Sequence, residues 1–171
     1  MKNIQFYVSL VLLVSILSFS NCIKDGAICF DFTQKSAISN SAIPIAGQAT
    51  VTKSITNLLA DQLTSKGVKV EKVNSITMGK ITMTLPSTAD FTFADFSELE
   101  ILANGQSLGK LPTSGVSGLT VTLDAPAKTD VKSIFLNSTT IDFTLKVTIK
   151  KAIGASSIDM QIPLNTCYQL L

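Results

Sequence analysis

Histidine and tryptophan are absent from the 171 residues, and so is arginine, since every one of the 14 basic side chains is a lysine. Without an imidazole there is no Ser-His-Asp or Cys-His activation of a nucleophile. Nor is there an imidazole general base titrating near neutrality, or a histidine-ligated zinc or haem. Without a guanidinium there is no bidentate fork for phosphate or guanine, and a formal charge of +2 gives no basic footprint. No nucleic-acid partner is expected, and most hydrolase mechanisms are removed with histidine. Charge of either sign is scarce, at 15% against 46% hydrophobic residues, which describes one globular domain with a near-neutral surface. A carboxylate pair, a Ser-Lys dyad or an oxygen-ligated calcium site remains open to test by position.

A long hydrophobic span is missing as well. After Met1-Lys2-Asn3, residues 6–19 form an apolar run broken only by Ser9, Ser15 and Ser18, followed by Asn21-Cys22-Ile23-Lys24-Asp25. A bilayer needs roughly 20 apolar residues, so the run reads as a signal-peptide core and not as a permanent span. Two cleavage readings compete. Residues 17–22 resemble a relaxed lipobox, with Asn21 before the cysteine and Phe19 where an aliphatic is usual, which makes Cys22 the lipidated residue of a bacterial lipoprotein. Alternatively, Ser18 and Ser20 are the small residues read by an ordinary signal peptidase, releasing a soluble protein that begins near Asn21. Both place the protein outside the cytoplasm. The first expects residues 1–21 as signal peptide, 22–27 as a short tether and 28–171 as a single domain. It also expects an outer-membrane location, since Lys24-Asp25 resembles surface-export signals; a secreted or periplasmic protein is the alternative.

Three cysteines in an exported chain leave one odd, and assigning Cys22 to the lipid leaves Cys29 and Cys167 as a candidate disulfide. Such a bridge closes nearly the whole domain and contributes on the order of 4 to 5 kcal/mol in the chain-entropy model. Two separate buried thiols are the alternative.

Without residues 1–21 the chain keeps 150 residues, enough for a proper core. Apolar and polar residues alternate without error over 141–150, the pattern of a half-buried strand. The same alternation runs over 119–124 and 158–164, and Pro163 points to an edge position for the last of these. Between Ile76 and Leu85 the phase slips at Gly79, as a β-bulge requires. Asn104-Gly105 between two strand-like runs is a hairpin signal. One helix is expected at about 55–66, capped by Ser54, with Ile55, Leu58, Leu59 and Leu63 as its apolar stripe and Lys66-Gly67 at its end. It would lie across one end of the domain, and a further helical turn is indicated near 130–136. Gly109, Gly115 and Gly118 mark 108–119 as a loop.

Val73-Asn74-Ser75-Ile76, Ile81-Thr82-Met83-Thr84-Leu85 and Phe91-Thr92-Phe93-Ala94-Asp95-Phe96 resemble segments of a group of uncharacterised small bacterial lipoproteins. The likeness covers most of the chain after residue 21 and is a pattern of strand residues. It implies an all-β, immunoglobulin-like or jelly-roll sandwich, and brings no activity, cofactor or site residue with it.

Ser107-Leu108-Gly109-Lys110 matches the Ser-x-x-Lys of penicillin-interacting enzymes, but in a strand residues three apart face opposite ways. Asp90, Asp95, Glu98 and Glu100 surround Phe91, Phe93 and Phe96 and could form a glycosidase pair or hold calcium; surface charges on a structural loop are the plainer reading. Asp124 and Asp130 are a similar case. Thr82, Thr84, Thr120 and Thr122 resemble ice-binding threonine rows, although threonine is common in any strand. Asn137-Ser138-Thr139 fits a glycosylation acceptor and reads as a turn. No catalytic residue, metal or cofactor is expected. The expected function is that of a non-enzymatic, lipid-anchored binding or structural module, joined to the membrane through Cys22 and engaging an unknown protein or glycan. The alternatives are a carrier with a hydrophobic ligand between the sheets under the helix, and a self-assembling pilus-like or adhesin subunit using an edge strand.

Overall fold

The computed structural model describes residues 23–24, 27–114, 116–125 and 131–169. The strands are β1 (Ile23–Lys24), β2 (Ala27–Asn40), β3 (Gly47–Thr56), β4 (Val73–Met78), β5 (Thr82–Thr84), β6 (Phe96–Ala103), β7 (Gln106–Lys110), β8 (Thr120–Thr122), β9 (Thr140–Ile149) and β10 (Ser156–Gln169). Two short helices interrupt them, α1 (Leu59–Ser65) and α2 (Val131–Leu136). All strand pairs are antiparallel. One sheet runs β1-β2-β10-β5-β8, with β4 also on β10, and the other runs β3-β9-β6-β7. The chain is an all-β sandwich.

Alternation explains the layers. In β9, Ile141, Phe143, Leu145, Val147 and Ile149 are buried, and the residues between them face out. β10 opposes them with Ile158, Met160, Ile162 and Leu164. Phe91, Phe93 and Phe96 complete the core, with ring centroids 5.9 and 5.8 Å apart for the two pairs involving Phe96. At the Asn104-Gly105 turn both residues take positive φ, 48° and 81°, as a tight hairpin between right-twisted strands demands.

Several expectations need correction. The helix does not begin at 55: Ser54 and Ile55 belong to β3, paired with Asp142 and Ile141, and Ser54 donates to the Asp142 carboxylate. The start is set by Asn57, whose side-chain oxygen accepts the Leu59 N–H at 3.0 Å. The further helical turn indicated near 130–136 is present as α2, so the described residues hold two short helices where the fold expectation had one. Residues 23–24 are not tether but strand, pairing with Ile28 and Ala27. The loop expected at 108–119 starts only at Leu111, because Leu108, Gly109 and Lys110 continue β7.

The strand expected at an edge is central. β10 pairs with β2 along 14 residues and with β4 and β5 on its other side. Pro163 is tolerated there because of the irregularity at Gly79. Its carbonyl accepts the Gly79 N–H at 2.8 Å, so its missing N–H points to the same side. On that side the chain advances four residues, Met78 to Thr82, while β10 retreats three, Leu164 to Gln161. The extra residue is the phase slip seen in the sequence, and the absent donor falls where the ladder is already interrupted. A Cβ on Gly79 would meet the Pro163 side chain at 3.2 Å.

Candidate functional site

Odd-numbered residues of β10 and β2 face out of the six-stranded sheet, and Cys167 lies directly opposite Cys29. The two are joined by a disulfide with their Cα atoms 4.0 Å apart. The spacing is that of the narrow, non-hydrogen-bonded pair, where side chains of neighbouring antiparallel strands come closest. Asn165 donates to Asp31 at 2.8 Å two pairs further along, the next pair on the same outer face. Cys22 lies outside the described residues.

On the other sheet the outward face forms a cleft of about 880 Å³, walled by Leu111, Pro112, Thr113, Ser114 and Val116. Register builds its floor. Thr50 lies opposite Lys146, Lys146 opposite Glu100 and Glu100 opposite Lys110, one row across all four strands. Gln48, Thr148 and Glu98 make the next row. Thr148 donates to Glu98 at 2.9 Å, Lys110 pairs with Glu100 at 3.4 Å, and Lys150 donates to the Ala94 carbonyl at 2.8 Å. The floor is therefore polar and mixed in charge, and the one aromatic at its margin, Phe96, is turned into the core.

Ser107 and Lys110 do not face opposite ways. Between Ile101 and Leu102 the register with β7 shifts by one residue, so Leu108 and Gly109 both turn inward, and Ser107 and Lys110 reach the same Glu100. A Cβ on Gly109 would meet Leu123 at 3.0 Å, which explains the small residue at the shift. Hydrogen bonding from Ser107 is the largest influence on Glu100; with the Lys110 and Lys146 charges it outweighs burial and holds the carboxyl below its ordinary range. The geometry is not that of a Ser-Lys dyad. The lysine is ion-paired with Glu100 instead of facing the hydroxyl as a base, and the hydroxyl is turned away from solvent onto the same carboxylate.

The other carboxylates are dispersed. Asp95 closes a capping box with Thr92 at the 3-10 turn Phe93–Asp95 and pairs with Lys151 at 3.1 Å. Burial opposes its charge, but the Thr92 N–H and Lys151 together keep its carboxyl below the usual value. Asp90 accepts the Gly154 N–H at 3.1 Å. Asp124 exchanges backbone hydrogen bonds with Lys110, and Asp130 lies outside the described residues. Among the described residues no three His, Cys, Asp or Glu side chains gather as a metal group. Thr82 faces Thr122 and Thr84 faces Thr120, a two-by-two patch on the outer face. Asn137 is exposed in the turn after α2.

Sequence reasoning singled out Glu98, Glu100, Ser107 and Lys110 and missed Gln48, Thr50, Lys146 and Thr148. Their outward phase was visible as alternation, but not that their strands lie side by side. No family model matches the chain, and no curated protein matches it.

Proposed function

We propose that the protein is a non-enzymatic binding module of a bacterial envelope, anchored by lipid on Cys22 and taking a polar ligand on the outer face of its four-stranded sheet. The observation that carries the reading is the cleft, whose volume is in the range of ligand sites and whose floor presents carboxylates, ammoniums and hydroxyls in two register rows. Such a floor suits a hydroxyl-rich glycan or an extended polar peptide, bound by hydrogen bonds rather than by stacking. The short apolar run ahead of Cys22 supports the anchor, and the likeness to small lipoproteins is in keeping with it. The pairing of Lys110 and Ser107 with Glu100 argues against acyl-transfer chemistry.

The alternatives have less support. The space between the sheets is filled by Phe91, Phe93, Phe135, Phe143 and their neighbours, and α1 plugs it with Leu59 and Leu63, which leaves little room for a hydrophobic cargo. A pilus-like subunit needs a terminal strand that can leave, whereas β10 is central and cross-linked.

Two measurements test the reading. Mass analysis of the mature N-terminus, with Cys22→Ala as control, should show acylated Cys22; an unmodified species starting at Asn21 overturns the anchor. Capture from envelope extract should be lost in Glu98→Ala and Lys146→Ala. Capture that survives both overturns the cleft as the binding face.

A further inference from the structure

Cys22 directly precedes β1, and β1 is not a free arm. The register runs from Ile23 to Ile28, from Ile28 to Tyr168 and from Tyr168 to Val73, one row across β1, β2, β10 and β4 at one end of the six-stranded sheet. Val73 follows the 3-10 turn Val70–Lys72, in which Val70 is 43% exposed. Around that turn stand Lys66, Lys69 and Lys72, with Glu71 the single acidic residue among them. The Lys66 ammonium lies 4.9 Å from the centre of the Phe30 ring, which in turn meets Tyr168 edge-on at 6.3 Å. Lysines around an exposed aliphatic and a half-buried aromatic pair combine apolar stems with charged heads, the chemistry of a surface at a lipid headgroup layer.

We infer that this end of the sandwich is a membrane-contact surface, with Lys66, Lys69 and Lys72 engaging anionic headgroups and Val70 entering the interface. The inference rests on the reading of Cys22 as the acylated anchor. One residue spans at most about 3.6 Å, so a lipid on Cys22 leaves the paired Ile23 no distance to stand off from the bilayer. The occupant is therefore the lipid surface itself, drawn to a patch carrying three lysines against one glutamate.

The same geometry orients the cleft. β2 runs away from this end to Asn40, and β3 returns from Gly47 to Thr56, whose carbonyl is reached by the Gln34 side chain at 3.3 Å. Gln48 and Thr50, in the first half of β3, thus sit toward the opposite end, and the cleft is presented away from the membrane.

The test uses the mature acylated protein, with intact mass measured first. Hydrogen exchange of the 66–72 amides is compared in phosphatidylcholine vesicles with and without phosphatidylglycerol, at low and high salt. At about 1 kcal/mol per lysine near an anionic surface, these amides are slowed by up to about a hundredfold in anionic vesicles. The slowing disappears at high salt, and residues 41–46 at the far end are unaffected. Lys66→Ala/Lys69→Ala/Lys72→Ala removes the slowing while the acylated protein stays on the vesicle. If acylated, vesicle-bound protein shows the same 66–72 exchange in both lipids, the surface is overturned and the anchor stands. If Cys22 carries no acyl chain, the anchor reading is overturned and the inference with it.

Discussion

Replacing Cys29 and Cys167 together by serine isolates what the disulfide contributes. The bridge closes a separation of 138 residues, which the chain-entropy expression converts to about 5 kcal/mol at 25 °C. Serine in both positions fits the half-exposed outer face without a cavity, and the β2–β10 ladder supplies the folded-state contacts in either form. The loss is therefore expected to arise in the unfolded chain. For a domain of this size, about 5 kcal/mol corresponds to a fall of about 10–20 °C in Tm. The assay is equilibrium urea denaturation of the wild type, the double variant and the wild type under reductant, followed by far-UV circular dichroism. The double variant and the reduced wild type should coincide, with native spectra retained in water. A loss below about 1 kcal/mol, or a double variant far more stable than the reduced protein, would refute the unfolded-chain argument.

Three further outcomes follow from the packing. A Cβ on Gly154 would lie 2.8 Å from an Asp90 carboxylate oxygen, but Asp90 is exposed and its carboxylate can turn aside at the expense of the bond from the Gly154 N–H, so Gly154→Ala should cost no more than about 1 kcal/mol and still less in an Asp90→Ala background; a loss above about 2 kcal/mol, or additive losses, would count against this reading. Asn57 is buried and donates to the Phe135 and Ser138 carbonyls at 2.6 and 2.8 Å besides holding the Leu59 N–H, so Asn57→Ala should cost about 2–4 kcal/mol by thermal denaturation, more than any exposed asparagine. Glu100 and Asp95 are held below their ordinary values of 4.5 and 3.8, so the unfolded chain takes up their protons first as the pH falls. Their stabilisation is fully present above the ordinary carboxylate range and is lost as pH falls through the lowered folded values, which denaturation between about pH 6 and pH 3 will show; Glu100→Gln should flatten the fall, and a stability constant across that range would contradict the sign.

Where one residue face meets a core, the sequence is legible. The unbroken alternation over 141–150 became β9, and Asn104-Gly105 became the hairpin because only a positive-φ pair closes that turn. The slip at Gly79 was visible because an extra residue reverses inside and outside for everything after it. Illegible were features decided by partners far away in the chain. Ser54 and Ile55 suit a helix start as well as a strand, and the choice was made by pairing with Asp142 and Ile141, some 88 residues distant in the first case. Pro163 suggested an edge because a proline lacks one donor; which neighbour would miss that donor cannot be known before the strand order is. Ser107 and Lys110 share a carboxylate only because β7 carries one residue more than β6 at that point. The cleft floor is the extreme case, since its rows join β3, β9, β6 and β7, and no local window contains two of the rows' members from different strands except at the β6–β7 hairpin.

The order of pairing bears on when the six-stranded sheet can form. The last strand, β10, is the partner of β2, the first long one, and of β4 and β5, so the six-stranded sheet has no middle until the C-terminus is available. Of its five other strands, β2, β4 and β5 pair with β10 directly, and β1 and β8 pair with strands that β10 holds. Contacts of this sequence separation carry a large closure entropy, so folding is slow relative to local hairpins and waits for the whole chain. On the proposed envelope location, the chain folds after transport, where an oxidising surrounding can close Cys29 onto Cys167. On the proposed anchor, a pull from the membrane enters at Ile23, passes to β2 and loads the β2–β10 ladder along its length. The disulfide joins those two strands at the end nearest Cys22, so that a pull meets a covalent link before the hydrogen-bonded register beyond it. The bridge sits on the outer face and adds nothing to the core, which is left to the alternating apolar residues.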